Sequence, residues 1–579
     1  MRFAVHTLIA CFSLVVATVD VSAQPMKESY PVHPDSKVKP GVPQGKVTGP
    51  FSWKSEIFPG TVRDYWVYVP SQYDPAKEAC VMIVQDGLGK AKGWKVPTIL
   101  DNLIHEGAVP VQIGIFVSPG VVPAPDADSQ PRFNRSFEYD GMGDRYARFL
   151  IEEILPAVQK DYNLSKNPND YLIAGSSSGA IAAFNAAWER PDHFRRVFSS
   201  VGTFVGLRGG NEFPILVRKH ETKPIRIFLQ DGENDLDIYG GSWWHSNLQM
   251  LSALKYSGYD VKHVWGEGGH NGKHSTAILP DALRWLWHDY PEAITAGTPL
   301  NRRTQLLIPG EDWELVSEDH KFTEGPAVNE HGEVFFTDIP NSRIHKIAND
   351  GTVSVFKEKS PGANGLMFGS DGKLYACQNG SQKIVRYDAD GNEEVVVEGV
   401  SSNDILILPK FGYFTDPKNK KVWMFTFDGE KREVDSGIEF PNGVIASPDQ
   451  SLLTVSDTRG RFTYSYQIQL DGDLKHKQVY GHLHLPDETG QSGADGMAVD
   501  TEGRTYVTTR VGLQVLDQLG RVHVIIRKPQ AAWLSNVVFA GKNGDILYVT
   551  CGDKVYRRKV NATGVTPWKA AVKPPKPRL

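Results

Sequence analysis

Residues 171–186 read YLIAGSSSGAIAAFNA. An apolar run, Tyr171 to Ala174, leads into Gly175-Ser176-Ser177-Ser178-Gly179, and an alanine-rich stretch follows from about Ala180. Strand, tight turn and helix stand in immediate succession. The small residues let the chain reverse sharply and leave the Ser177 hydroxyl exposed at the end of the strand. With 55 glycines among 579 residues, a G-x-S-x-G arises by chance in about one of three such chains. The pattern therefore counts only in its setting, and the alternative is a turn that merely links strand to helix.

The setting extends from about residue 51 to 291, where short apolar strands alternate with helix-like stretches. Strand-like runs include VMIV at 81–84, VQIGIFV at 111–117 and IRIFL at 225–229; helix-like ones include DRYARFLIEEILPAVQKDY and LPDALRWLWHDY. Such alternation predicts an α/β domain with a mostly parallel sheet. A serine hydroxyl needs a base to take its proton, and the base needs an orienting carboxylate. On an elbow of this kind they follow in the order Ser, acid, His. IRIFLQ runs into Asp231-Gly-Glu-Asn-Asp235-Leu-Asp237, and VKHVWGEGG runs into His270. Ser177 is the expected nucleophile, His270 the base and Asp235 the acid. Asp231 and Asp237 compete for the acid, and His274 for the base. The oxyanion hole should use the amides of Ser178 and of Gly87, in the loop after VMIV.

Past residues 292–306, EAITAGTPLNRRTQL, the helical periods vanish. From about 307 to 565 a short strand of one type recurs six times: FFTD from 335, YACQ from 375, YFTD from 413, LTVSD from 453, YVTT from 506 and YVTC from 548. A repeat of about 40 residues made of a few strands predicts one propeller blade each, hence a six-bladed β-propeller. WELV at 313–316 could supply the strand that closes the ring.

Ten to twelve residues before each recurring strand stands one acidic or amide residue: Glu324, Asn364, Asn403, Asn442, Asp495 and Asn536. Equivalent positions in successive blades surround the central axis. Six oxygen-bearing side chains without His or Cys suit a hard cation such as Ca²⁺ rather than zinc. The competing explanation is that Asn-Gly and Asp-Gly are turn formers, which accounts poorly for Glu324.

Both halves resemble known families. QDG at 85–87, PTILDNLIHEG at 97–107, RSFEYD at 135–140, AGSSSGAIAAFNAAWERPDHF at 174–194, IRIFLQDGENDLD at 225–237 and VWGEGGHNGKH at 264–274 resemble the enterochelin-esterase-like and esterase D branch of the α/β-hydrolases, near carbohydrate esterase family 1. That resemblance implies the triad Ser177, Asp235 and His270, with no cofactor. FTEGPAV, the Ser-Asn-Asp segment followed by YFTD, FPNGV and GADGMAVD resemble the gluconolactonase/regucalcin family. It implies a divalent cation held by Glu324, Asn403, Asn442 and Asp495 beside a lactone site, with Asp495 as base. Ser401 stands where some sugar lactonases have arginine.

Composition fits two folded domains. Hydrophobic residues make up 40% and charged residues 23%, and the net charge of −5 carries no electrostatic footprint for nucleic acid. Residues 1–23 have the form of an export signal: one early positive charge, a mostly apolar run from Ala4 to Val19, and Val21-Ser22-Ala23 before a cut at Gln24. Export to the periplasm or medium is expected, without stable membrane insertion. Cleavage leaves Cys80, Cys377 and Cys551, neither a disulfide framework nor a metal motif. Residues 24–50, rich in Pro, Gly and Lys, read as a flexible leader, 292–306 as a linker and 566–579 as a loose tail. The expected protein is an exported hydrolase acting on small-molecule or carbohydrate esters and on lactones. Two alternatives are an esterase whose propeller is a binding or scaffold module, and a lactonase with a vestigial esterase domain.

Overall fold

The computed structural model describes residues 28–299 and 306–577. The export signal lies outside them, as does part of the 292–306 segment.

The first domain is an α/β fold. Its sheet runs in the order Asp260–Gly266, Arg226–Gly232, Arg196–Ser200, Tyr171–Ser176, Cys80–Gln85, Gln112–Val117 and Val62–Val69, with Lys46–Lys54 paired outside the last. The first six are mutually parallel, and the pairing of Val62–Val69 with Gln112–Val117 and with Lys46–Lys54 is antiparallel. Helices cover both faces, so the central strands are buried on both sides. CVMIVQ, YLIAGS and RIFLQDG read as near-continuous runs for that reason. The order reverses between Tyr171–Ser176 and Cys80–Gln85, and at such a switch point the loops after neighbouring strands part to form a crevice. Ser177 follows one of these strands and Gly87 the other.

The second domain is a six-bladed propeller of four-stranded antiparallel sheets. The recurring FFTD-type strand is the second strand of each blade, from Val334–Asp338 to Ile546–Cys551. The ring closes because Glu314–Ser317 pairs with Lys554–Lys559 and becomes the outer strand of the last sheet.

Two terminal segments differ from the sequence reading. Residues 28–50 are no loose leader. Asn102 donates from Nδ2 to the carbonyls of Asp35 and Lys37 at 2.8 and 2.9 Å, Arg284 pairs with Asp35 at 2.7 Å, and Lys46–Lys54 joins the sheet. The tail is held too. Trp568 packs against two blade cores, and Gln450 donates to the carbonyls of Pro567 and Lys569 at 2.9 and 2.8 Å. The domains touch as well. Glu221 accepts from Arg558 Nη1 and Nη2, each at 3.0 Å, and from the Arg527 amide at 2.9 Å, and Asp487 accepts from the Met142 amide at 3.0 Å.

Candidate active sites

Ser177 has φ 59° and ψ −126°. A non-glycine residue adopts this backbone only when its surroundings impose it. Close packing does so here: a Cβ on Gly175 would stand 1.9 Å from the Gly179 carbonyl oxygen, and one on Gly179 would meet Gln85 at 3.0 Å. The glycines let the strand, the helix Ser178–Glu189 and the Gln85–Gly87 loop approach. Ala180, directly after the elbow, is fully buried in the first turn of that helix.

The raised hydroxyl meets its base. Ser177 Oγ lies 2.8 Å from His270 Nε2, and His270 Nδ1 lies 2.6 Å from Asp235 Oδ1. This is the geometry for taking a proton from serine and steadying the resulting imidazolium. The Trp243 ring stands edge-on to His270 at 5.7 Å, and Thr203 Oγ1 is 3.3 Å from Ser177 Oγ. His274, the competing base, is elsewhere: it stacks on Tyr30 at 4.2 Å and its Nδ1 faces the Gln230 amide at 3.3 Å. The loop carrying His270 is pinned from the N-terminal segment, where Glu28 accepts from Asn271 Nδ2 at 2.7 Å.

The two aspartates of DGENDLD at this site divide into different states. Burial works against charge on Asp235, but its bonds to His270 and Asp231 and the His270 charge outweigh it and hold the carboxyl below its usual range. Burial and the neighbouring Asp235 push Asp231 far above that range, so it carries its proton at neutral pH. Asp231 Oδ2 and Asp235 Oδ2 are both buried without any other donor, which suits one proton shared from Asp231 to Asp235. Asp237 is exposed and takes no part.

Gly87 and Ser178 are the first residues of the helices Gly87–Gly93 and Ser178–Glu189. First-turn amides have no intrahelical acceptor and remain available to an anion. Asp86 at the same turn is clamped by Arg135, at 2.6 and 3.0 Å, and its amide donates to Tyr139 Oη at 3.2 Å.

In the propeller the six ring residues converge. Asn364 Nδ2 donates to Asn403 Oδ1 at 2.5 Å, and Asn403 Nδ2 donates to Asn442 Oδ1. Asn536 Nδ2 donates to Glu324 Oε2 at 3.0 Å. Trp533 Nε1 donates to Asp495 Oδ2 at 2.8 Å. The glycines that follow ring residues serve close approach rather than turns. A Cβ on Gly365 would stand 2.4 Å from Asp404 Oδ1, and one on Gly496 would stand 1.9 Å from the Asn536 side chain.

Asp404 is the residue that the sequence reading missed. Its carboxylate faces Asn536 Nδ2 at 3.2 and 3.4 Å, inside the channel. The strand behind it, Ile405–Ile407, spans only three residues, so both Asn403 and Asp404 precede it and turn inward. The doubled polar pair in SSNDILI was the available signal. Burial and the Glu324 charge push Asp404 and Asp495 well above the carboxylate range, and burial raises Glu324 to about 7. Among the described residues no lysine or arginine pairs with any of the three. Amides stand between them, and they do not gather within 4.8 Å of one another. Glu324 and Asp495, both buried, and the half-buried Asp404 thus stand without a cationic partner among amide oxygens, and such oxygens are the donor types that could hold a hard divalent cation.

Fold and geometry together define a two-domain hydrolase, a serine-nucleophile α/β domain followed by a propeller with a carboxylate-lined channel. Residues 58–289 match the family described as "Putative esterase", and residues 322–553 match the SMP-30/Gluconolactonase/LRE-like region. A gluconolactonase of Zymomonas mobilis is 26% identical over 43% of this chain and 82% of its own length. An iron(III) enterobactin esterase of Dickeya dadantii is 25% identical over 40% of this chain; the match spans about half, 53%, of that protein. A solved gluconolactonase structure from Xanthomonas campestris, 23% identical, covers 45% of this chain and 93% of its own with a TM-score of 0.40. Among the described residues no helix is long and apolar enough to cross a membrane.

Proposed function

We propose that the chain is an exported hydrolase with two ester-opening sites, a serine esterase and a lactonase that uses a divalent cation, Ca²⁺ being the ion the donor set suits. The observation that carries the esterase is the unbroken relay from Ser177 through His270 to Asp235, which argues against a vestigial domain. Ser177 Oγ attacks the acyl carbon while His270 Nε2 takes its proton. The amides of Ser178 and Gly87 receive the oxyanion. His270 then returns the proton to the leaving alkoxide, and a water repeats the sequence to free the acid.

In the propeller, Glu324, Asn403, Asn442 and Asp495 would hold the cation, with the Asp404 carboxyl nearby on Asn536. When bound, such an ion supplies a Lewis acid for a lactone carbonyl. Asp495 is the base, its Oδ2 held by Trp533 at 2.8 Å, and the charge of the bound cation would keep its carboxyl ionised for that role against the burial that raises it. The gluconolactonase relative supports an aldonolactone as substrate class for this site, and the iron(III) enterobactin esterase relative supports an enterobactin-like ester for the other.

Labelling with a serine-directed phosphonate tests the first site. The adduct should map to Ser177, and a labelled peptide elsewhere, or none, would refute the assignment. Calcium titration by calorimetry tests the second. One equivalent should bind to the wild type and none to Glu324→Gln.

A further inference from the structure

We propose that His320, Asp338 and His345 form a second metal site, separate from the channel, that takes a transition-metal ion of the zinc class and staples the closure of the propeller ring. The three belong to three parts of the chain. His320 lies on the link between Glu314–Ser317, the outer strand of the last sheet, and Thr323–Val328, the inner strand of the first. Asp338 ends the second strand of that first sheet, and His345 lies on its third, Arg343–Ile347. One ligand atom from each comes within 4.8 Å of the other two, and no other trio of His, Cys, Asp or Glu among the described residues does so.

The local chemistry lacks a partner in the middle. His345 is 8% exposed, and its Nε2 is buried with no hydrogen-bond partner. Leaving a buried nitrogen unpaired is unfavourable, so its retention calls for a ligand. His320 Nε2 is engaged by Ser317 Oγ at 2.7 Å, which turns Nδ1 toward Asp338 Oδ2 at 3.6 Å, too far for a hydrogen bond. Asp338 is itself held: Asn341 Nδ2 donates to Oδ2 at 2.7 Å, and the amides of Lys321 and Phe322 reach Oδ1 at 3.3 and 3.4 Å. Ligands to metals carry such outer partners, which set their orientation.

The molecule contains its own controls. Asp416 and Asp457 end the same strand in other blades and receive similar loop amides, from Asn419 and Arg459, both at 3.1 Å. Capping that turn therefore explains Asp338 but not two histidines beside it. Two imidazoles and one carboxylate, with a water as fourth ligand, are zinc-type donors, unlike the all-oxygen channel. A cation there would tie the ring-closing link to two strands of the first blade, a few residues from Glu324.

Cobalt(II) added to the full chain, stripped of metal and then saturated with Ca²⁺ to fill the channel, tests the site. The wild type should take up one Co²⁺ with the intense visible absorption of a four-coordinate nitrogen-containing site, and zinc should displace it. His345→Gln and His320→Gln should lose that band while retaining aryl-ester turnover as the check on folding. If either variant misfolds, Ser317→Ala keeps all three ligands and should weaken Co²⁺ binding roughly 10–100-fold. A wild type showing only the pale spectrum of oxygen-ligated cobalt, or a Ser317→Ala or histidine variant that folds and binds like wild type, would overturn the proposal.

Discussion

Replacing each of the two neighbouring aspartates by asparagine should have opposite consequences, because the structure puts a charge on one and a proton on the other. Asp235 Oδ1 accepts from His270 Nδ1 at 2.6 Å and from the Leu236 amide at 2.6 Å. Asp235→Asn removes the charge that balances the imidazolium and lets the ring take the wrong tautomer, a loss on the order of 10⁴ in kcat for sites of this geometry. Asp231→Asn replaces a neutral acid by a neutral amide that can still donate to Asp235, and turnover should stay within about tenfold. Stability supplies the second readout. The folded protein keeps the Asp231 proton well above the pH at which the unfolded chain releases it. Above the unfolded value the native state therefore binds more protons than the unfolded, and stability falls as pH rises until Asp231 ionises. One proton gives at most about 1.4 kcal/mol per pH unit. Between pH 6 and 8 the wild type should lose up to about 3 kcal/mol relative to Asp231→Asn. Urea unfolding of both proteins at the two pH values, beside ester kinetics, measures this. A large kcat loss in Asp231→Asn with near-normal Asp235→Asn would refute the division of roles, and parallel pH profiles would refute the protonation state.

Other consequences follow from the contacts. Glu221→Ala leaves Arg558, with a side chain only 4% exposed, without its carboxylate; the loss should be about 3 kcal/mol, toward the low end because Glu221 retains 17% exposure, and calorimetry should show the two domains melting further apart. Calcium at a thousandfold excess over its Kd should stabilise the propeller by about 4 kcal/mol, and chelator should reverse it; a melting transition indifferent to both would argue against the cation. Removing residues 24–31 frees the His270 loop from Glu28 and Tyr30. Ester kcat should fall about tenfold or more with a smaller change in KM, and unchanged kcat would show that the segment only covers the surface.

The elbow, the order of the triad and the phase of the propeller ring were legible because each is a local pattern repeated or punctuated by small residues. Asp235 was preferred over Asp231 through the resemblance to the hydrolase family, whereas their protonation states depend on burial that only the packed loops create. Asp404 escaped because a one-residue-per-blade rule hid the neighbour of Asn403. The Pro- and Lys-rich segment at 24–50 read as loose on composition, yet Asp35, Asn102 and Arg284 hold its described part through contacts distant in the chain. Glu221 and Arg558, 337 residues apart, carry no pattern at all. His320, Asp338 and His345 have none of the spacing of a metal motif, because strand pairing rather than sequence proximity brings them together.

The claim that two separate sites open esters is tested most directly by one crossed set of initial rates. Wild type and Ser177→Ala are each assayed on an aryl ester and an aldonolactone, with chelator and after calcium is restored. Ser177→Ala should lose ester turnover by orders of magnitude and keep lactone opening. Chelator should abolish lactone opening, reversibly, and spare the ester. Ester turnover that survives Ser177→Ala, or one perturbation that removes both activities together, would contradict the account.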